Sequence, residues 1–376
     1  MGDVFETVLG QPRVREFLRS CTASGRVSHA YLFCGPAGSN KTAAAYAFAQ
    51  SIVCPDKGCG ECDHCKKAQR RMHPDIHFHA PAGAQGYLVE QIREIVADSS
   101  LAPIQASRKV YILDRADLMG VSAANAFLKT LEEPPESVVI ILLGRTRESV
   151  LPTIVSRCQV VAFRHIPASE AAAILVQHTG ATSQQAAAAI QACGGSVTKA
   201  ARFLKSNERL AFRRNAITAL EQLADADDLD VLTVAARLVT DANAPLDDVR
   251  REQEAVMADN ADFLQKGALK TLAAQHKRML SQMSFEHLGQ LLNIVRAWLR
   301  DVMMTASGAG DLIINSDVEE GIRKAASRTD EARVCRALER VEVAEDAISY
   351  NVSPQLSIEA MLSEIREVLY GTRSRG

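Results

Sequence analysis

The feature that most constrains the fold is a short apolar run followed at once by a glycine-containing loop and an alanine-rich segment. The run is Tyr31–Cys34, the loop is Gly35-Pro-Ala-Gly-Ser-Asn-Lys41-Thr42, and the segment extends to Val53. A strand, such a loop and a helix in this order are typical of a phosphate-binding loop, in which backbone N–H groups surround phosphate oxygens. The pattern therefore predicts an α/β fold with a parallel sheet.

Alternation of apolar runs and helical patterns up to residue 165 supports this fold class. Strand patterns occur at Asp75–His79, Val110–Asp114, Val138–Leu143 and Gln159–Phe163, and helical patterns at Leu88–Ser99 and Ser122–Leu131. Continuous apolar runs such as Val138–Leu143 are typical of strands covered on both faces of a parallel sheet. From Ser169 onward strand patterns disappear, and helical patterns continue to residue 369 around a loop at Thr305–Asp311. The second half is therefore expected to be all-α.

The loop departs from the usual nucleotide-binding pattern at one glycine. Asn40 stands where the second required glycine is expected. Asparagine tolerates left-handed backbone, so the loop can keep its shape, but its side chain would stand where the nucleotide packs. The remaining candidate phosphate and Mg²⁺ contacts are Gly35, Gly38, Lys41 and Thr42.

A second departure follows the strand pattern that ends in Asp114, the candidate Mg²⁺ ligand. The next residue is Arg115, a cation where an ATPase carries a general base. Asp117 lies too far along the chain to replace that base without a change of backbone. The two departures predict a site that keeps the fold and has weak or no hydrolysis.

Four of the nine cysteines form a cluster, Cys54, Cys59, Cys62 and Cys65, with C-x4-C-x2-C-x2-C spacing. This spacing allows four thiolates to surround one ion, and structural zinc accepts four sulfurs tetrahedrally. An iron–sulfur cluster uses the same ligand type, and four unligated thiols are the third alternative. His64 and His73 are near enough in sequence to be substitute ligands.

Charge and hydropathy exclude some classes of protein. The formal net charge of −2 excludes a polybasic protein, although Lys66, Lys67, Arg70 and Arg71 form a local basic stretch beside the cysteines. That stretch is either a solvated helix face or a nonspecific nucleic-acid contact. No apolar run approaches the ~20 residues of a membrane span, and the N-terminus lacks the pattern of a secretory signal. A cytoplasmic location, with no membrane partner, is expected.

Several motifs together resemble the clamp-loader subunits of bacterial DNA polymerase III, which are AAA+ proteins. They are HAYLF before the loop, the four cysteines, LKTLEEPP at 128–135 and LPTIVSRC at 151–158, within a resemblance covering about residues 5–205. The resemblance implies an AAA+ α/β domain at 1–165 with a zinc knuckle at 54–65, a helical lid at 166–207 and an all-α collar at 208–376. It also implies a five-subunit ring with gamma/tau and delta subunits, in the DNA polymerase III holoenzyme, that loads a sliding clamp on primer-template DNA.

The resemblance also assigns a role to Arg157 in the Ser-Arg-Cys motif. In the family this arginine reaches the ATP that a neighbouring subunit holds together with Mg²⁺, as an arginine finger in trans. Active subunits carry a lid arginine after a Gly-Ser pair, whereas Gly195-Ser196-Val197 is followed here by Thr198. An arginine for the neighbour's site together with no lid arginine for the chain's own site indicates a non-motor subunit. An ATP-hydrolysing subunit of the same loader and a zinc-knuckle nucleic-acid module are the alternatives.

Overall fold

The structure is a computed structural model that describes residues 3–82, 86–260, 266–350 and 352–371. The chain forms two compact units. The α/β unit comprises Met1–Leu175 and Gly195–Lys199, and the helical unit comprises Val176–Gly194 and Ala200–Gly376. The expected division at residues 165 and 207 into three domains stays a prediction.

The α/β unit contains a five-stranded parallel sheet with the order β2-β3-β4-β1-β5. The strands are β1 (Ala30–Cys34), β2 (Ile76–His79), β3 (Lys109–Leu113), β4 (Val138–Gly144) and β5 (Gln159–Ala162). The three central strands are buried along their whole length, which is why their sequences are continuous apolar runs rather than alternating ones. The predicted parallel sheet is confirmed.

Helices cover both faces of this sheet, and alternate residues of the three central strands enter two separate cores. Tyr31 and Phe33 pack into one core with Phe48, and Leu32 packs into the other with Phe127. The first seven helices of the chain all begin in this unit: α1 (Pro12–Ala23), α2 (Lys41–Val53), α3 (Asp63–Gln69), α4 (Val89–Ser99), α5 (Val121–Glu132), α6 (Pro152–Val155) and α7 (Ala168–Thr179). Short 3-10 turns lie at Val4–Thr7 and Ala116–Leu118.

The remaining helices run to the end of the described chain. They are α8 (Ser183–Ala192), α9 (Val197–Lys205), α10 (Asn207–Gln222), α11 (Asp228–Asn243), α12 (Leu246–Asn260), α13 (Lys266–Ala306), α14 (Glu319–Ala326), α15 (Glu331–Ser349) and α16 (Pro354–Tyr370). The described residues after Ser169 contain no strand, as predicted. Among the described helices none is long and apolar enough to cross a membrane.

The helical unit has a core of its own and a polar network that ties a loop to two helices. Trp298, the single tryptophan of the chain, is fully buried on α13. Asp301 of α13 is also fully buried and accepts hydrogen bonds from the backbone N–H and the amide of Asn315, both at 2.8 Å. Arg213 of α10 donates to Asn315 at 2.7 Å and to both carboxylate oxygens of Asp317. The loop before α14 is thereby fixed through charged hydrogen bonds.

The predicted loop at Thr305–Asp311 needs a small correction. Helix α13 continues to Ala306, and Gly310–Leu312 forms a 3-10 turn. The Thr305 hydroxyl donates to the Asp301 carbonyl at 2.9 Å, a bond along the helix axis that accommodates threonine in the last turn.

Candidate functional site

The glycine-containing loop follows β1, at the edge of the sheet where the parallel strands have their carboxyl ends. Strand β1 pairs with β4 on one side and with β5 on the other. Gly35 cannot carry a side chain, because a Cβ there would lie 2.6 Å from the Phe163 carbonyl oxygen. Gly38 and Asn40 both have left-handed backbone, with φ of 76° and 65°. The expectation that asparagine adopts this conformation is confirmed, and α2 begins at the next residue.

The Asn40 side chain is buried and makes two hydrogen bonds within the α/β unit. Its amide nitrogen donates to the Leu9 carbonyl at 2.9 Å, and its amide oxygen accepts from the Ser196 hydroxyl at 2.7 Å. Only 5% of the residue is exposed. The amide therefore links the phosphate-type loop to the N-terminal segment and to the segment Gly195–Lys199.

Lys41 is bonded to its own loop. Its ammonium group donates to the carbonyls of Gly35 and Pro36, the latter at 2.8 Å, and to the Ser39 hydroxyl at 3.4 Å. Burial lowers the pKa of Lys41, and the negative charges of two aspartates oppose that shift. In a nucleotide-binding loop this ammonium group neutralises phosphate, but here it is already hydrogen-bonded to oxygens of its own loop. Thr42 follows in the first turn of α2, half-buried.

The two aspartates lie beyond the end of β3. Asp114 follows the strand directly, and Arg115 has left-handed backbone with φ of 48° at the start of the 3-10 turn. The turn places Asp117 near enough for its negative charge to raise the pKa of Lys41. The Asp117 side chain is only 9% exposed. Its Oδ2 lies 3.9 Å from Nε of Arg145. The sequence alone does not indicate this 3-10 turn, which brings Asp117 toward the loop lysine.

Thr198 occupies the position where the resemblance leads one to expect an arginine. Its hydroxyl donates to the Thr7 carbonyl at 2.9 Å, and the residue is buried. A Cβ on Gly195 would lie 3.8 Å from Cα of Gly38, so this segment passes close to the loop. The segment contacts the loop through Ser196, and no arginine lies between Gly195 and Lys199.

The four predicted cysteines come together in one cluster. Their sulfur atoms all lie within 4.8 Å of one another. The Cys54 sulfur is 3.8 Å from that of Cys59 and 3.6 Å from that of Cys62, and the Cys59 and Cys65 sulfurs are 4.0 Å apart. Tetrahedral zinc with Zn–S bonds of about 2.3 Å requires sulfur separations of about 3.8 Å. The cluster could therefore hold a metal ion such as zinc.

The backbone around the cluster also fits a metal site. Gly58 and Gly60 have positive φ, which glycine adopts without strain, and so permit tight turns between the cysteines. The backbone N–H of Gly60 donates to the Cys65 sulfur at 3.3 Å, and that of Cys65 donates to the Cys62 sulfur at 3.4 Å. Burial raises the pKa of Cys65 to about 12, so ionisation of this thiol requires a compensating cation.

The two candidate substitute ligands are engaged with each other. Nδ1 of His73 accepts from the Asp75 backbone N–H at 3.1 Å, so its Nε2 carries the proton and donates to Nδ1 of His64 at 2.9 Å. This arrangement favours the four thiolates as the ligand set.

The basic stretch beside the cysteines is partly engaged inside the chain. Lys67 forms an ion pair with Asp63 at 2.7 Å, and Arg71 lies 4.7 Å from the ring centre of Tyr46. These contacts favour the interpretation of the stretch as a solvated helix face.

Arg157 lies beyond α6, far from the loop lysine in sequence, and is half-buried. Its Nε donates to Glu132 Oε1 at 2.9 Å, and its Nη1 donates to the Thr153 carbonyl at 2.8 Å and to the Ser156 hydroxyl at 3.2 Å. A second bond joins Nη2 to the same Glu132 oxygen. Sequence reasoning found Arg157 through its motif but gave no partner for it.

Comparison with known proteins links both units to one protein family. A family model described as DNA polymerase III, delta subunit, matches residues 10–167, and one described as its C-terminal part matches residues 250–367. The tau subunit of Bacillus subtilis DNA polymerase III is 39% identical over 166 residues, which are 43% of this chain and 29% of that protein.

Two delta' subunits are also similar to part of the chain. The Bacillus subtilis delta' subunit is 37% identical over 157 residues, which are 41% of this chain and 47% of that protein. The Pseudomonas aeruginosa delta' subunit is 39% identical over 136 residues, which are 35% of this chain and 42% of that protein. Each match spans less than half the length of the relative.

Proposed function

The chain belongs to the DNA polymerase III delta subunit family, and we propose that it is a delta'-type, non-motor subunit of the clamp loader. In this role it holds the loader together and completes the ATP site of a neighbouring subunit. The proposed architecture is an AAA+ domain at 1–165, a lid at 166–207 and a collar at 208–376. Its partners are gamma/tau and delta subunits in a five-subunit ring that places a sliding clamp on primed DNA.

The observation that carries the non-motor role is the state of the chain's own phosphate-type loop. The Asn40 amide is already hydrogen-bonded to Leu9 and Ser196, and Lys41 is held by loop carbonyls. Arg115 supplies no general base. An ATP entering this site would have to break buried hydrogen bonds before gaining any of its own.

Arg157 is the residue that acts at the ATP site of the neighbouring subunit. A guanidinium group is planar and permanently charged, so it can stabilise the charge that develops on the γ-phosphate during hydrolysis. Arg157 is 30% exposed at its side chain, near the end of α5 and after α6. ATP and Mg²⁺ are then ligands of the neighbouring subunit, and zinc in the cysteine cluster has a structural role in this chain.

The non-motor role is tested by nucleotide binding to the isolated chain. We expect no saturable binding of a fluorescent ATP analogue at micromolar concentration, and the same flat titration for Lys41→Ala. Saturable binding that disappears in Lys41→Ala would contradict a site closed to nucleotide and would favour the ATP-hydrolysing alternative.

The role of Arg157 is tested in a loader reconstituted with its partner subunits. An arginine finger contributes about 10³–10⁵ in rate at the site that it serves. With Arg157→Ala we therefore expect the burst of ATP hydrolysed on addition of clamp and primed DNA to fall by one ATP per complex. Arg93→Ala removes an exposed arginine paired with Glu90 on α4 and is the matched control. An unchanged burst with Arg157→Ala would refute the assignment.

A further inference from the structure

The guanidinium group of Arg157 is held in one orientation by groups of its own chain. Glu132 Oε1 accepts from both Nε and Nη2 on one side, and the Thr153 carbonyl and the Ser156 hydroxyl accept from Nη1 on the other. Among the described residues these bonds use four of the five N–H hydrogens. One hydrogen on Nη2 is left to donate to an incoming oxygen.

The partners of Arg157 are themselves fixed by local structure. Glu132 is the last residue of α5, and the prolines at 134 and 135 prevent the helix from continuing. Thr153 lies in α6, and the Ser156 hydroxyl donates to the Thr153 carbonyl at 3.1 Å. Two rigid elements, 25 positions apart in the chain, therefore meet at the guanidinium group.

Stability does not account for the pair of Glu132 and Arg157. The side chains are 48% and 30% exposed, and ion pairs with this exposure contribute little to folding. Arginine has a long side chain with many rotamers, so fixing it before a ligand arrives removes an ordering cost from the reaction.

We infer that Glu132 is a positioning residue for Arg157. Its carboxylate orients the guanidinium group so that the free Nη2 hydrogen and the positive charge are presented to a phosphate of the neighbouring subunit's nucleotide. The inference rests on the proposed function, because it gives Glu132 a purpose only if Arg157 acts in trans.

The experiment uses the same reconstituted loader and measures both the rate and the size of the ATP hydrolysis burst. With Glu132→Ala the burst should keep its size, while one ATP per complex is hydrolysed roughly tenfold more slowly. The ATP concentration for half-maximal rate should stay unchanged, since nucleotide binding belongs to the neighbour. Glu132→Gln keeps an oxygen that accepts from Nε and should recover most of the rate.

Glu133→Ala is the matched control, since it removes the adjacent exposed carboxylate and should leave the rate unchanged. An unchanged rate with Glu132→Ala, while Arg157→Ala removes one ATP from the burst, would overturn the inference alone. A faster rate would overturn it as well, because Glu132 would then restrain Arg157. If Arg157→Ala has no effect, the proposed function fails instead. Equal melting temperatures of the variants exclude a folding defect.

Discussion

A single residue, Asn40, combines backbone strain with two buried hydrogen bonds. Its φ of 65° is unfavourable for a residue with a Cβ, while its amide satisfies the Leu9 carbonyl and the Ser196 hydroxyl. The glycine expected at this position would relieve the strain and leave both partners without the amide. The two effects oppose each other, so substitutions at this residue can separate them.

Asn40→Ala should lower the free energy of unfolding by about 2–4 kcal/mol, because two buried groups lose their partner while the strain stays. Asn40→Gly should be about 1 kcal/mol more stable than Asn40→Ala, since glycine adopts positive φ freely. Thermal and urea unfolding followed by circular dichroism measure both values. Asn125→Ala, at an exposed position of α5, should be nearly neutral. Equal stability of the alanine and glycine variants would contradict the account.

Asp317 gives a residue-level prediction about pH. The hydrogen bonds from Arg213 lower the pKa of Asp317 in the folded protein. A lowered carboxyl pKa stabilises the fold above the unfolded value of about 3.9, and this stabilisation is lost as pH falls through the folded value. Asp317→Asn should therefore cost about 1 kcal/mol at pH 7, a value limited by the half-exposed carboxylate.

The difference between wild type and Asp317→Asn should shrink toward zero as the pH is lowered below about 4. Urea unfolding at a series of pH values measures this convergence. Glu319→Gln removes an exposed carboxylate that pairs with Arg323 within one helix, and it should show a much smaller difference throughout. A difference between wild type and Asp317→Asn that stays constant from pH 7 to pH 3 would contradict the prediction.

Among the elements, α3 depends strongly on its surroundings. A helix of seven residues is too short to be stable by itself, and two of the clustered cysteines lie at its start. We expect one zinc ion per purified chain, and removal of the metal by a chelator should increase hydrogen exchange of the α3 amides. The measurements are metal analysis and hydrogen exchange detected by mass spectrometry.

Cys62→Ser sharpens this test, because a serine hydroxyl can still accept the Cys65 N–H at the helix start. Loss of zinc in this variant then reports on the ligand and not on the helix cap. Cys193→Ser changes a cysteine outside the cluster and should retain the metal. Iron with visible absorbance in place of zinc, or zinc retained by Cys62→Ser, would contradict the assignment.

Elements that depend on local patterns were predictable from the sequence. The continuous apolar run at 138–143 predicts a buried strand, and the spacing of the four cysteines predicts the cluster. The position of Asp117 was not predictable, since it depends on a 3-10 turn after β3. The same holds for the bond between Glu132 and Arg157, because the two residues meet only through packing of separate elements.

At the scale of the whole molecule, the two units differ in their spectroscopic reporter. The only tryptophan, Trp298, is fully buried in the core of the helical unit, whereas Asn40 and its partners all lie in the α/β unit. Tryptophan fluorescence therefore follows unfolding of the helical unit. Zinc release, detected with a chromogenic chelator, follows unfolding of the α/β unit.

Because each unit has its own core, a substitution should lower the melting temperature of the unit that contains it. A loss of 1 kcal/mol corresponds to about 2–4 °C for units of this size. Asn40→Ala should thus lower the temperature of zinc release by at least about 4 °C and leave the Trp298 transition in place. Asp317→Asn should show the reverse pattern. If either substitution moves both signals equally, the units unfold as one cooperative structure, because only strong coupling would transmit a local loss of stability to the other core.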